Sequence, residues 1–125
     1  MKIKGFDHIV ITVRDLKASL AFYVDVLGME QVDSGDRFAV RFGTQKINFH
    51  QRPAEFLPAA ANPAYGSQDI CLIACGDIYE IKKEVLEKGW PLELGVVRRT
   101  GAQGPISSIY LRDPDKNLVE ICVYD

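Results

Sequence analysis

The sequence predicts an α+β fold. Two β-α-β-β-β modules form a curled, mixed but mostly antiparallel sheet around a cleft, with the helices on its outer face. Three observations predict it. The order strand, helix, three strands is legible twice along the 125 residues. Equivalent positions keep their spacing: His8 and Asp69 stand 61 residues apart, and the helix caps Asp15 and Asp77 stand 62 apart. An internal repeat of this kind outweighs any single motif. Finally, one small sheet and one helix bury too little to stand alone, so two such units must share a core. We expect one domain over 1–125, made of module 1–51 and module 67–125, joined by segment 52–66.

The first strand is Phe6–Val13, rich in β-branched residues. Alternation puts His8, Val10 and Thr12 on one face and Ile9, Ile11 and Val13 on the other. The second face is the more apolar and is expected to lie against helices. Asp15 caps a helix reaching about Leu27, with Leu16, Leu20, Tyr23, Val24 and Leu27 as its buried stripe and Gly28 ending it. Strands follow at Met29–Ser34, Arg37–Phe42 and Lys46–His50, separated by Gly35-Asp36 and Gly43-Thr44. In the last of these, Asn48 and His50 share one face.

Residues 51–67 hold Pro53, Pro58, Pro63 and Gly66, with alanines, Phe56 and Leu57 between. That is too apolar for a free linker. It is expected to lie along the domain surface or cross to a partner subunit. The pattern then repeats: a strand over Gln68–Ala74, with Asp69, Cys71 and Ile73 on one face, and a helix capped by Asp77 and closed by Gly89. Three strands follow, Pro91–Arg98, Ile106–Arg112 and Leu118–Tyr124, the first two separated by a glycine loop, Thr100–Pro105.

Composition bounds the function. Apolar residues at 47% and charged residues at 26% are ordinary for a soluble globular protein. A net charge of −2 points away from nucleic acid and anionic membrane surfaces as partners. No apolar run approaches the roughly 20 residues of a membrane span, and the N-terminus lacks a signal-peptide core. Cys71, Cys75 and Cys122 form no metal-type pair, and are expected to be reduced, buried thiols in a cytoplasmic protein.

One residue breaks the pattern of the last strand. Asp113-Pro114-Asp115-Lys116 is a strong turn signal, and the strand after it is apolar except for Glu120. An unpaired buried carboxylate is costly. Glu120 therefore implies a polar cleft with something positive in it.

The motifs Asp7-His8-Ile9-Val10-Ile11-Thr12-Val13, Phe22-Tyr23-x-x-x-Leu27-Gly28-Met29 and Asp113-Pro114-Asp115-Lys116-Asn117-Leu118-Val119-Glu120 resemble the vicinal oxygen chelate superfamily. That superfamily includes glyoxalase I, fosfomycin- and bleomycin-resistance proteins, methylmalonyl-CoA epimerases and extradiol dioxygenases. Gln45–His50 and the Arg99–Ile106 loop are most similar to short glyoxalase-domain proteins. The resemblance implies a divalent metal ion (Zn, Ni, Mn, Co or Fe) held by the first and last strands of each module. Here that means His8, one of Asn48 and His50, Asp69 and Glu120. By strand position Asn48 matches the glyoxalase I carboxylate, whereas His50 is the better transition-metal ligand, and we place His50 in the set. Asp69 departs from the pattern, since most metal-binding relatives have histidine there. It is a ligand, a general base with Glu120, or a group orienting His8.

Arg98, Arg99 and the glycine loop, with Asn48 and Tyr110, are candidate substrate contacts, and Arg41 and Arg112 are alternative cations. The resemblance thus implies a glyoxalase-like lyase, isomerase or thiol transferase acting as a homodimer on a small oxygen-bearing electrophile. A bleomycin-resistance-type protein that sequesters its ligand is the alternative. An extradiol-type dioxygenase is a third possibility.

Overall fold

A computed structural model describes residues 1–125. The chain forms two units, Met1–Ser67 and Gln68–Asp125. The first holds β1 (His8–Thr12), α1 (Leu16–Leu20), β2 (Glu30–Ser34), β3 (Arg37–Phe42) and β4 (Gln45–His50). The second holds β5 (Asp69–Ile73), α2 (Ile78–Glu87), β6 (Leu94–Gly101), β7 (Gly104–Arg112) and β8 (Leu118–Tyr124). Each unit has its own four-stranded sheet, ordered β1-β4-β3-β2 and β5-β8-β7-β6. In both, the first and last strands pair in parallel and the other neighbours are antiparallel. The β-α-β-β-β repeat and the mixed, mostly antiparallel pairing are as the sequence predicts.

Asp15 caps α1 by accepting from the Ala18 amide at 3.1 Å. The expected single α-helix to Leu27 is instead five α-helical residues followed by a π-helical segment, Ala21–Val26. Its longer-range bonds include Leu27 N–H to the Phe22 carbonyl at 3.0 Å. The wider turn accommodates two aromatic neighbours, Phe22 and Tyr23, both fully buried. Tyr23 packs on Phe49 of β4 with ring centroids 5.6 Å apart. The helix therefore lies on the Phe49 face, and Asn48 and His50 point to the other.

Asp77 caps α2 through the Tyr79 and Glu80 amides, and α2 lies against β6 and β7, burying Ile78 and Val85. β6 starts later than expected, at Leu94 rather than Pro91, since proline offers no ladder donor. It carries a bulge between Gly95 and Val97. At Gly95 a β-carbon would sit 2.9 Å from the Ile109 Cα, so only glycine fits. The expected loop Thr100–Pro105 is a tight hairpin, with Gly101 opposite Gly104 and only Ala102 and Gln103 at its tip.

The turn before β8 is a buried polar network. Asp113 Oδ1 accepts from the amides of Asp115 and Asn117, both at 2.9 Å, and Oδ2 from the Asn117 side-chain amide at 2.8 Å. Asn117 Oδ1 accepts from the Gln68 amide at 2.8 Å, and Leu118 N–H donates to the Gln68 carbonyl at 3.0 Å. The turn thus sets where β8 begins relative to β5.

Two predictions follow from this packing. Asn117→Ala strands the Gln68 amide and an Asp113 oxygen, and each buried group left unmade costs about 1–3 kcal/mol. Urea denaturation is expected to show a loss of roughly 2–4 kcal/mol with an unchanged slope, whereas Asp33→Ala on exposed β2 stays within about 0.5 kcal/mol. At the other end of β8, Arg98 holds Asp125 through contacts of 2.6 and 2.7 Å and keeps its carboxyl below the ordinary 3.8. A depressed carboxyl stabilises above its unfolded value and loses that contribution as pH falls through the folded one. Arg98→Gln is therefore expected to lower the melting temperature at neutral pH and to match the wild type once Asp125 is protonated.

Candidate functional site

The parallel register decides what each sheet presents. In the second unit Asp69 pairs with Leu118, and Cys71 with Glu120. Tyr110 of β7 lies opposite Glu120 on the other side. One face therefore carries Asp69, Cys71, Glu120 and Tyr110, and the opposite face carries the apolar Val119, Ile121, Ile109 and Leu111, all buried.

Glu120 Oε1 is buried and has no hydrogen-bond partner. Arg99 donates from Nε to the Tyr110 hydroxyl at 3.1 Å, with its guanidinium 5.6 Å from the ring centre. Burial pushes the Tyr110 hydroxyl up, the Arg99 bond opposes it, and the Glu120 carboxylate adds to the rise, so the hydroxyl keeps its proton. Cys71 is exposed as a residue, but its thiol is pushed far above the usual range, first by partial burial and then by Cys122 and Glu120. Cys75 is also exposed and only Cys122 is buried, which corrects the expectation of three buried thiols.

In the first unit His8 pairs with Lys46, Val10 with Asn48, and Thr12 with His50. His8 is half exposed and donates from Nδ1 to Asp7 Oδ2 at 2.7 Å. That hydrogen bond is the main cause holding the Asp7 carboxyl below its usual range. With Nδ1 engaged, Nε2 is the ring nitrogen left free. Asp7 thus makes the contact to His8 that was considered for Asp69. Sequence reasoning missed it, although the Asp7-His8 dipeptide was the available signal.

The register separates the two candidates of β4. His50 lies four residues beyond the partner of His8, roughly 13 Å along the strand at about 3.3 Å per residue, and Asn48 only two. Asn48, two residues beyond Lys46, occupies the place that Glu120 occupies two residues beyond Leu118. The His50 ring instead meets Phe56 edge-on, with centroids 5.4 Å apart.

The other candidate cations separate. Arg98 and Arg99 point to opposite faces of β6, and Arg98 is taken by Asp125 and by Ser107 at 2.8 Å. Arg98 is thus turned away from the Glu120 face. The Gln103 amide, expected to be open for an anion, donates to the Tyr124 hydroxyl at 3.0 Å. Arg41 pairs with Glu30 at 2.9 Å, and Arg112 with Glu93 at 3.4 Å.

No group of three His, Cys, Asp or Glu side chains comes together into a metal cluster. The individual donors nevertheless fit a divalent ion. His8 offers a free Nε2, Asp69 is an exposed carboxylate, and Glu120 has a buried oxygen that lacks a positive partner.

Comparison with known proteins agrees with this architecture. The chain is 46% identical to a virulence protein of Salmonella typhimurium, over 99% of this chain and 87% of that protein. The crystal structure of that protein superposes with a TM-score of 0.97, covering 100% of both chains. A glyoxalase domain-containing protein of Mycosarcoma maydis is also 46% identical, over 99% of this chain and 70% of that protein. A lactoylglutathione lyase structure from Agrobacterium tumefaciens is 27% identical with a TM-score of 0.75, covering 98% of this chain and 96% of that one. The family model described as the Glyoxalase/Bleomycin resistance protein/Dioxygenase superfamily matches residues 5–121. With nearly the whole chain matched and the paired β-α-β-β-β units in place, the protein belongs to the glyoxalase/bleomycin resistance protein/dioxygenase superfamily.

Proposed function

We propose that the protein is a divalent-metal-dependent enzyme of glyoxalase type, a lyase, isomerase or thiol transferase for a small oxygen-bearing electrophile. The observation that carries this reading is the buried, unpartnered Glu120 Oε1 on a face shared with Asp69 and Tyr110. His8, Asp69 and Glu120 are the proposed ligands, with Asn48 at the fourth position. The bound ion would supply Lewis-acid polarisation of neighbouring substrate oxygens.

The rest is work for the chain's own groups. A carboxylate, Asp69 or Glu120, takes a proton from the carbon beside a substrate carbonyl and returns it to the neighbouring carbon. The protonated Tyr110 hydroxyl, steadied by Arg99, donates a hydrogen bond to substrate oxygen where charge develops. Asp7 keeps the His8 ring in the ligating tautomer. As elsewhere in the superfamily, we take the active form to be a cytoplasmic homodimer.

A second reading, ligand sequestration without catalysis, is favoured by one observation. Asn48, a weak ligand, stands at the place equivalent to Glu120. Metal content separates the two. After reconstitution with Ni, Zn or Mn, elemental analysis is expected to find about one ion per chain, and less than a tenth of that in His8→Ala and in Glu120→Ala. Full occupancy in both variants, or none in the wild type, contradicts the metalloenzyme. Asp7→Asn is expected to weaken metal binding by roughly 10–100-fold without unfolding the protein. Glu120→Gln is expected to lower turnover of 2-oxoaldehyde–thiol adducts by at least about 100-fold.

A further inference from the structure

A second polar side chain on the acidic face is left unanswered beside Glu120. Ser108 of β7 is fully buried, and its Oγ has no hydrogen-bond partner. The ladder puts it on the Glu120 face. Ser108 lies opposite Cys122, and Tyr110, two residues on, lies opposite Glu120. Residues directly opposite in an antiparallel pair share a face, so Ser108 and Glu120 are diagonal neighbours there, with Cα atoms about 7–8 Å apart. The other neighbours of Ser108 are weak partners or already engaged. Cys122 opposite it and Val97 beside it on β6 offer a weak thiol and an alkyl group. Arg99 gives its Nε to the Tyr110 hydroxyl and a terminal nitrogen to the Arg98 carbonyl. The Tyr124 hydroxyl accepts from the Gln103 amide in the β6–β7 hairpin. Glu120 Oε1 is the neighbouring acceptor that is both buried and unanswered.

We propose that Ser108 is a positioning residue for Glu120: its hydroxyl donates to the Glu120 carboxylate, directly or through one bridging water. The pairing answers both groups at once, since a buried donor and a buried acceptor each carry a desolvation cost when unpaired. Two side chains on one diagonal span the gap themselves, or with a water about 2.8 Å from each oxygen. A carboxylate oxygen has two lone-pair directions, so Oε1 can accept this bond and still bind an ion. The bond fixes the rotamer of a side chain that otherwise turns freely about its single bonds. A carboxylate held by such a bond meets an ion in one orientation, and loss of a supporting partner of this kind typically costs 10–100-fold in metal affinity. That consequence rests on the reading of Glu120 as a metal ligand, whereas the contact between Ser108 and Glu120 does not.

Two measurements test it, both on the full chain. The first needs no metal. A crystal structure of the chelator-treated protein that shows ordered waters is expected to place Ser108 Oγ within about 3.2 Å of a Glu120 carboxylate oxygen, or to place one water within that distance of both. Separate partners for the two side chains overturn the proposal. The second is a calorimetric titration with Co(II). Ser108→Ala is expected to lower the affinity roughly 10–100-fold, while the melting temperature of the metal-free chain changes little. Ser108→Thr keeps the hydroxyl and is expected to recover most of the affinity, which loss of packing would not explain. Wild-type affinity in a folded Ser108→Ala, with the wild type itself binding the ion, overturns the positioning role. A wild type that binds no Co(II) sinks the metalloenzyme reading instead, and the crystallographic contact then decides the place of Ser108 by itself.

Discussion

Each candidate residue owes its place to the parallel pairing of the first and last strands within a unit. In the second unit that register is pinned from outside the ladder. The Asn117 side chain takes the Gln68 amide, Leu118 takes the Gln68 carbonyl, and Asp113 holds Asn117 from below. A slip of one residue would turn Glu120 into the apolar face that holds Val119 and Ile121. The turn buries three polar side chains, Asp113, Asp115 and Asn117, and the cost is offset where Asp113 and Asn117 bond each other and the backbone around them.

The repeat uses one construction for two chemistries. In the second unit the face at the parallel pair is acidic, with Asp69 and Glu120 flanked by a protonated phenol and a high-pKa thiol. In the first it is basic and amide-rich: His8, Lys46, Asn48 and His50, with Arg37 beyond. On the acidic face Arg99 holds the Tyr110 hydroxyl, and the buried Glu120 Oε1 is left without a hydrogen-bond partner. An unanswered buried carboxylate oxygen is costly, and a bound metal ion is the answer we propose.

Much of this was legible in the sequence because its signals are local. The strand alternation that put His8 and Asn48 on one face, and Asp69 and Cys71 on one face, is a property of single strands, and so are the Asp15 and Asp77 caps. What the sequence could not carry is the offset between strands. Asn48 and His50 have the same parity, and only the pairing of His8 with Lys46 shows that Asn48 is the nearer of the two to His8 along the ladder. Arg98 and Arg99 look like one cluster as a dipeptide, but neighbours in a strand point apart, and Asp125 holds the first of them. The thiol of Cys71 reads as core on hydrophobicity alone, although its strand faces outward there. Phe56 falls in an irregular segment where no periodicity assigns a partner.

The most direct test is crystallographic. Crystals equilibrated with Mn or Co and measured at the metal absorption edge give an anomalous map that locates the ion without reference to the protein. The account predicts one strong peak per chain, touched by His8 Nε2 and a Glu120 carboxylate oxygen at about 2.0–2.2 Å. A peak bonded to neither residue, or to only one of them, would contradict it.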